Sequence, residues 1–259
     1  MIAPLLWLRY AAKNLRSGLK GFWIYLSCLT LGVAAIAIVG SLVAAVDRGL
    51  TEQGQPLLGG DVEFSLIHRE ANANEQGFMA SKGTLSRIAT LRGMAMGKDQ
   101  STLVEIKAVD KVYPLYGTLG LEPGGESDPL AVKNGVYGIA ADPLLLGRLG
   151  LKLGDDIKIG SSSFRLAAVI ANEPDRISDG FVLGPRVLMS HEALQTTGLI
   201  QPGSLITWRY RVKLAGDTSL AAAKAVVSEA EKSYPDAGWR VRARDNAAQG
   251  AERFAERLG

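Results

Sequence analysis

The stretch GFWIYLSCLTLGVAAIAIVGSLVAAV, Gly21 to Val46, runs for 26 residues without a charged side chain. As a helix it reaches ~39 Å at ~1.5 Å per residue, longer than the ~30 Å hydrocarbon core of a bilayer. A cleavable signal peptide has an apolar region of only ~7–15 residues and ends at a small-x-small site. Here Asp47 and Arg48 follow directly. The run therefore predicts a retained transmembrane helix over residues 21–46. Arg9, Lys13, Arg16 and Lys20 precede it with no acid among them. The positive-inside rule then puts the N-terminus in the cytoplasm and the body outside the inner leaflet.

Residues 1–20 read as a cytoplasmic basic amphipathic segment. Leu5, Leu6, Leu8, Leu15 and Leu19 are interleaved with the four cations, and Trp7, Tyr10, Phe22, Trp23 and Tyr25 cluster where aromatic rings favour the interface. Inside the span, Ala37, Ser41 and Ala45 recur every four residues, with Gly40 and Ala44 beside them. Small residues at this spacing let another helix approach closely, so this face is expected to pack on other transmembrane helices. Cys28 is no lipidation site, because Tyr25 stands where such a site needs leucine and the apolar run continues beyond it.

The net charge of +3 belongs to the N-terminus: from Asp47 onward there are 25 Lys/Arg against 26 Asp/Glu. A body so balanced excludes a broad nucleic-acid surface. One cysteine and two histidines, His68 and His191, exclude an internal disulfide and a Cys/His zinc site. No cofactor is expected.

Helical spacing of Val46, Leu50, Gln53 and Leu57 extends the span into a stalk over 47–57, after which an extracytoplasmic domain fills 58–245. Within it DVEFSLI (61–67) alternates as a half-buried strand. NANEQGFMASKG reads as a helix capped by Asn72 or Asn74, and TLSRIATLRGMAMG and TLVEIKAVD as two strands joined at KDQS. The Pro/Gly-rich stretch 111–131 reads as irregular. Asp142 caps a short helix with Pro143 at its first position and Gly150 at its end. DDIKIG and FRLAAVIAN form a hairpin, and RVLMS leads into a helix capped by Ser190. SLITWRYRVKL is a long alternating strand with Leu205, Thr207, Arg209 and Arg211 on one side. Residues 219–234 form the clearest amphipathic helix, and GWRVRAR closes with a strand. This is an α+β body of mixed, largely antiparallel strands.

Motifs for chemistry are sparse. GMAMGKDQ (93–100) has three residues between its glycines where a Walker A loop has four, and Asp99 replaces the hydroxyl that holds Mg²⁺. It reads as a hairpin turn. His68 and His191 are the only candidate bases for a nucleophile, and both read as surface residues. In NEPDRISDGF, residues Glu173, Asp175, Arg176 and Asp179 form a candidate contact loop; the competing reading is a solvated loop whose charges pair locally.

The basic A-x-x-N-L-R stretch at 11–16, running straight into the span, resembles the N-terminus of FtsX-like (MacB-type) ABC transporter permeases. LLGGDVEFSL, TLRGMAMG, VEIKAVDKVYPLYG, LGLKLGDDIKIG and EPDRISDGFVLGPRVLMS are closer still to the YbbP-type permeases of that family, and the resemblance covers essentially the whole chain. It implies a bacterial inner-membrane subunit with a two-lobed, MacB-like periplasmic domain inserted after the first transmembrane helix. One lobe combines about 58–110 with about 185–245, and a β-rich lobe spans about 111–184. The resemblance also implies mechanotransmission. A separate cytoplasmic ATPase hydrolyses ATP, and stalks carry the motion outward to a lipophilic cargo or a periplasmic partner such as an esterase. The permease itself is then no enzyme.

On this reading, residues 246–259 begin a returning stalk helix, cut before the next span. Ala251, Phe254, Ala255 and Leu258 would pack on the outgoing stalk near Val46 and Leu50. Two readings from other classes compete. One is a single-span anchored extracytoplasmic binding or sensor domain; the other, an anchored hydrolase.

Overall fold

A computed structural model of the chain describes residues 23, 25–41, 55, 58–125, 128–176 and 184–245. Residues 1–50 and 51–259 form two separate compact units. In the first, residues 25–41 are helical (α1) and every described side chain is exposed, Leu31 and Ile36 at 76% each. Ser27 Oγ and Thr30 Oγ1 donate to the carbonyls of Trp23 and Leu26 at 2.7 and 2.8 Å, which hides both hydroxyls within the helix. Among the described residues no helix is long and apolar enough to cross a membrane. The described part of α1 reaches ~25 Å, and the rest of the expected span, with Ala44 and Ala45, lies outside the described residues.

The second unit begins with β1 (Val62–Ile67), α2 (Ala73–Lys82), β2 (Gly83–Met96) and β3 (Ser101–Val109). After β4 (Gly120–Glu122), β5 (Val132–Lys133) and β6 (Val136–Ala141) come α3 (Pro143–Leu149), β7 (Asp156–Ile159) and β8 (Ser162–Asn172). The chain continues through β9 (Arg186–Ser190), α4 (His191–Thr196), β10 (Thr207–Leu214), α5 (Leu220–Ser233) and β11 (Arg240–Ala243). Among the described residues the strands join one sheet in the order β11-β1-β10-β2-β3-β9-β6-β8-β4, with β5 on β6 and β7 between β2 and β8. Pairing is antiparallel except β3 with β9 and β6 with β8.

Local chemistry explains most boundaries. Asn72 forms a full capping box with Glu75, and Asp142 and Ser190 cap α3 and α4 through Leu144 N and Ala193 N. Gly150 ends α3 at φ +61°, the left-handed turn that glycine adopts without strain. Two expectations change. The stretch 111–131 is not wholly irregular, since β4 lies in it. The strand expected from Ser204 starts at Thr207, because Ile206 N donates to Ser204 O at 3.0 Å and this tight turn diverts the chain.

One face of the sheet carries the main core. Val62, Phe64, Leu66, Leu91, Trp208, Tyr210 and Val212 are buried there. Helix α5 packs on β11 and β1, α2 on β10 and β2, and α4 on β3 and β9. Phe64 meets Trp239 edge-on at 5.0 Å, and Tyr234 lies 5.3 Å from both Phe78 and Trp239. Each fully buried side chain of this size stabilises by about 1.5–3 kcal/mol. On the opposite face Ile88, Val109, Leu188, Ala168 and Ile170 form a smaller cluster, covered by Tyr113, Leu119 and Leu121. The strand β1, expected to be half-buried, is therefore covered on both faces: Glu63 is 1% exposed.

Candidate functional site

The second face of the sheet holds charge where alternation predicted solvent. Along β10, Arg209 and Arg211 point away from the helices, yet Arg211 is 1% exposed. Its Nε donates to Glu63 Oε2 at 3.0 Å, and its Nη1 bonds Asp175 Oδ2. Lys107 of β3 donates to Glu173 Oε1 at 2.7 Å and to Asp175 Oδ2 at 2.8 Å. The Tyr113 hydroxyl donates to Asp175 Oδ1 at 2.5 Å. Arg242 of β11 reaches Glu63 Oε1 at 2.5 Å. Arg186 of β9 lies 3.7 Å from both Glu105 and Glu173. A buried ion costs several kcal/mol in lost hydration, so these groups are retained only because each meets opposite charge.

The electrostatics follow from that enclosure. Burial alone would push the Asp175 carboxyl up, but Arg211 and Lys107 outweigh it and hold it well below the usual carboxylate range. Glu63 is likewise lowered, with Arg211, Arg209 and Arg242 overcoming its burial. The Tyr113 hydroxyl is pushed far up by burial and by the charges of Asp175 and Glu173. It therefore stays protonated and serves as a donor.

A second node sits beside this network. Asp61 is fully buried, and its carboxylate accepts from Gln55 Nε2, Tyr116 Oη, Leu214 N and Arg244 Nη1 at 2.8, 2.8, 2.9 and 2.8 Å. Arg244 N also donates to Asp61 O at 3.2 Å. Gln55 precedes the first strand and Arg244 follows the last. One carboxylate thus gathers the incoming chain, the outgoing chain and the 111–119 segment.

Against these positions the expected site residues divide. Glu173 and Asp175 are not on a solvated loop with locally paired charges; they are buried against cations of β3, β9 and β10. Arg176 is the exposed member, bonding Asp142 Oδ2 at 2.6 Å, and Asp179 lies outside the described residues. Ala37, Gly40 and Ser41 are exposed on α1. The stalk contacts expected of Val46, Leu50, Ala251, Phe254, Ala255 and Leu258 also lie outside the described residues. His191 Nε2 is 2.8 Å from Arg87 O and its ring stacks on Trp208, while His68 Nδ1 is 3.2 Å from Ser204 O. Each histidine is thus engaged with a backbone carbonyl. The sequence reading missed Asp61, Glu63, Lys107, Arg186, Arg211 and Arg244. For Glu63, Lys107, Arg186 and Arg211 the signal was charge on sheet strands, which alternation assigns to solvent when no covering loop is foreseen; Asp61 and Arg244 flank the first and last strands.

No family model matches the chain. Over 211 residues it is 29% identical to "Uncharacterized ABC transporter permease YbbP" of Escherichia coli (strain K12), covering 82% of this chain. The chain is similar to a YbbP-type permease. It spans 25% of the length of that relative. In fold, it resembles the crystal structure of the periplasmic region of MacB from Actinobacillus actinomycetemcomitans. The TM-score is 0.50 at 9% identity, covering 76% of this chain and 95% of that one. The extracellular domain of the noncanonic ABC-type transporter YknZ from Gram-positive bacteria overlays at a TM-score of 0.47 and 8% identity, covering 70% and 99%. The second unit is a mixed α/β domain whose fold resembles that of the periplasmic region of MacB.

Proposed function

We propose that this chain is the N-terminal part of a permease subunit of an ABC transporter, with residues 58–245 acting outside the inner leaflet. In this reading the 21–46 run spans the bacterial inner membrane with the N-terminus in the cytoplasm, and 47–57 and 246–259 are stalks. The lobes are 58–110 with 185–245, and 111–184. A separate cytoplasmic ATPase hydrolyses ATP. The subunit converts that hydrolysis into handling of a lipophilic cargo or of a periplasmic partner. The similarity to the permease and the MacB-like fold support the class.

The observation that carries the mechanism is the Asp61 node. Gln55 and Arg244, on the two connections of the domain, are bonded to the same carboxylate as Tyr116. A pull on either connection is then delivered at once to β10, through Leu214 N, and to the 111–119 segment. A carboxylate with four donors in a dry site suits this work, because charge-assisted bonds are about twice as strong as neutral ones.

The test is to purify the affinity-tagged full-length parent protein from detergent-solubilised membranes. The expected result is a stoichiometric ATPase carrying a Walker A loop. A parent recovered without any ATPase, from a reading frame with no hydrophobic spans after Gly259, sinks the reading.

A further inference from the structure

Strand β2 is longer than either of its neighbours on one edge. β10 pairs with it from Gly83 to Thr90, and β7 pairs with it at Ala95 and Met96. Between them residues 91–94 have a strand partner only on the β3 side. The register fixes which groups face the gap. His68 N bonds Ile206 O, so even-numbered residues of β10 point to β1 and odd-numbered ones to β2. Their partners on β2 are even-numbered, consistent with Ala215 N bonding Lys82 O. Arg92 and Met94 therefore turn their N–H and C=O groups into the gap, and among the described residues no backbone bond reaches them there. Two turns keep it open: Ile206 N to Ser204 O diverts the chain before β10, and Gly160, at φ +60°, turns it after β7.

The gap opens into a cavity of about 650 Å³ lined by Thr90, Arg92, Glu105, Leu205 and Arg209. Leu205, in its lining, is 76% exposed, and beside it on the sheet Met94 and its cross-strand partner Leu103 are each 44% exposed. Exposed apolar side chains next to unpaired strand groups are the usual mark of a pairing surface. Arg92 is exposed and its guanidinium makes no hydrogen bond or ion pair with another described residue, and the carboxylate across from it, Glu105, faces Arg186.

We propose that residues 91–94 of β2 are a strand-addition site for an extended segment of a partner protein, with an apolar residue two positions before an acidic one. Only a polypeptide repeats donors and acceptors at the spacing of Arg92 and Met94. An incoming strand antiparallel to β2, like β10 and β7, sets its first inward residue against Met94 and its second against Arg92. The opening admits about four residues at ~3.3 Å each, so the contact is a weak, transient one. It does not depend on the permease reading.

The probe is an end-capped, fluorescein-labelled peptide, Thr-Leu-Thr-Glu-Thr, titrated against the full chain in detergent and followed by anisotropy. Arg92→Glu, at an exposed position, weakens binding about tenfold, and replacing the peptide's Glu with Lys restores it. N-methylating the Leu and Glu amides abolishes binding, whereas N-methylating the Thr between them does not. Amide exchange at Arg92 and Met94 slows when the probe binds. The proposal is overturned if the N-methylated peptide binds as well as its parent, or if Arg92→Glu changes nothing. It also fails if phosphatidylglycerol micelles displace the probe from wild type and Arg92→Glu alike, or if the site is filled by a second copy of this chain.

Discussion

Replacing Lys107 by alanine removes the ammonium that Glu173 and Asp175 share, leaving Asp175 to Arg211 and Tyr113 and Glu173 to Arg186 at 3.7 Å. Breaking a buried pair from one side costs about 3–5 kcal/mol, because the remaining charge keeps its desolvation cost without its partner. A urea titration at neutral pH should show that loss in Lys107→Ala. Asp175, with Glu63, sets the acid limb. Asp175 and Glu63 are held below their unfolded pKa values. Their contribution is therefore present above the unfolded pKa, about 4, and is lost as pH falls toward the folded values. The urea midpoint should drop as pH goes from about 5 to about 3. The double variant Glu63→Gln, Asp175→Asn should be less stable at neutral pH and show a flatter acid limb; an unchanged limb would show that other carboxylates govern it.

Among the elements, α2 depends on its first turn more than on its apolar face. Asn72 Oδ1 accepts from Glu75 N at 2.9 Å, Glu75 Oε2 accepts from Asn72 N at 2.8 Å, and Arg69 holds the same carboxylate from outside. Asn72→Ala should cost about 1 kcal/mol in thermal unfolding, and Asn72→Asp should be close to neutral, since either side-chain oxygen can cap. The β6 strand has a different requirement. A Cβ on Gly138 would lie 1.9 Å from Pro129 O, so the 128–131 segment crosses β6 where only glycine leaves room. Gly138→Ala must move backbone and should cost about 1–3 kcal/mol, read as a lower urea midpoint with the m-value unchanged.

For the whole molecule, the sheet decides cooperativity. β9 pairs with β3 on one side and β6 on the other, so strands from 58–110 and from 111–184 share one hydrogen-bonded ladder. Residues 51–259 should therefore unfold in a single calorimetric transition, with van't Hoff and calorimetric enthalpies equal; two separable transitions would count against this. Much of that molecule was legible in the sequence. Alternation, caps and turn residues act within a few positions of one another, so β1, β2, β3, the β7–β8 hairpin and helices α2 to α5 could be read from neighbours alone. The uncharged run 21–46 was as plain. What only the tertiary structure decided was which side of each strand is wet. Alternation assigned Arg211 to solvent, and the charges of NEPDR read as an exposed contact loop or a solvated one. Folding lays Glu173 and Asp175 over β3, β9 and β10, and so buries them with Arg211 in one ion-paired network. The gap on β2 arises in the same way, because the lengths of β10 and β7 matter only once both strands are laid along one edge. Burial and register depend on residues far apart in the chain, and no local pattern encodes which distant segment will cover a given face.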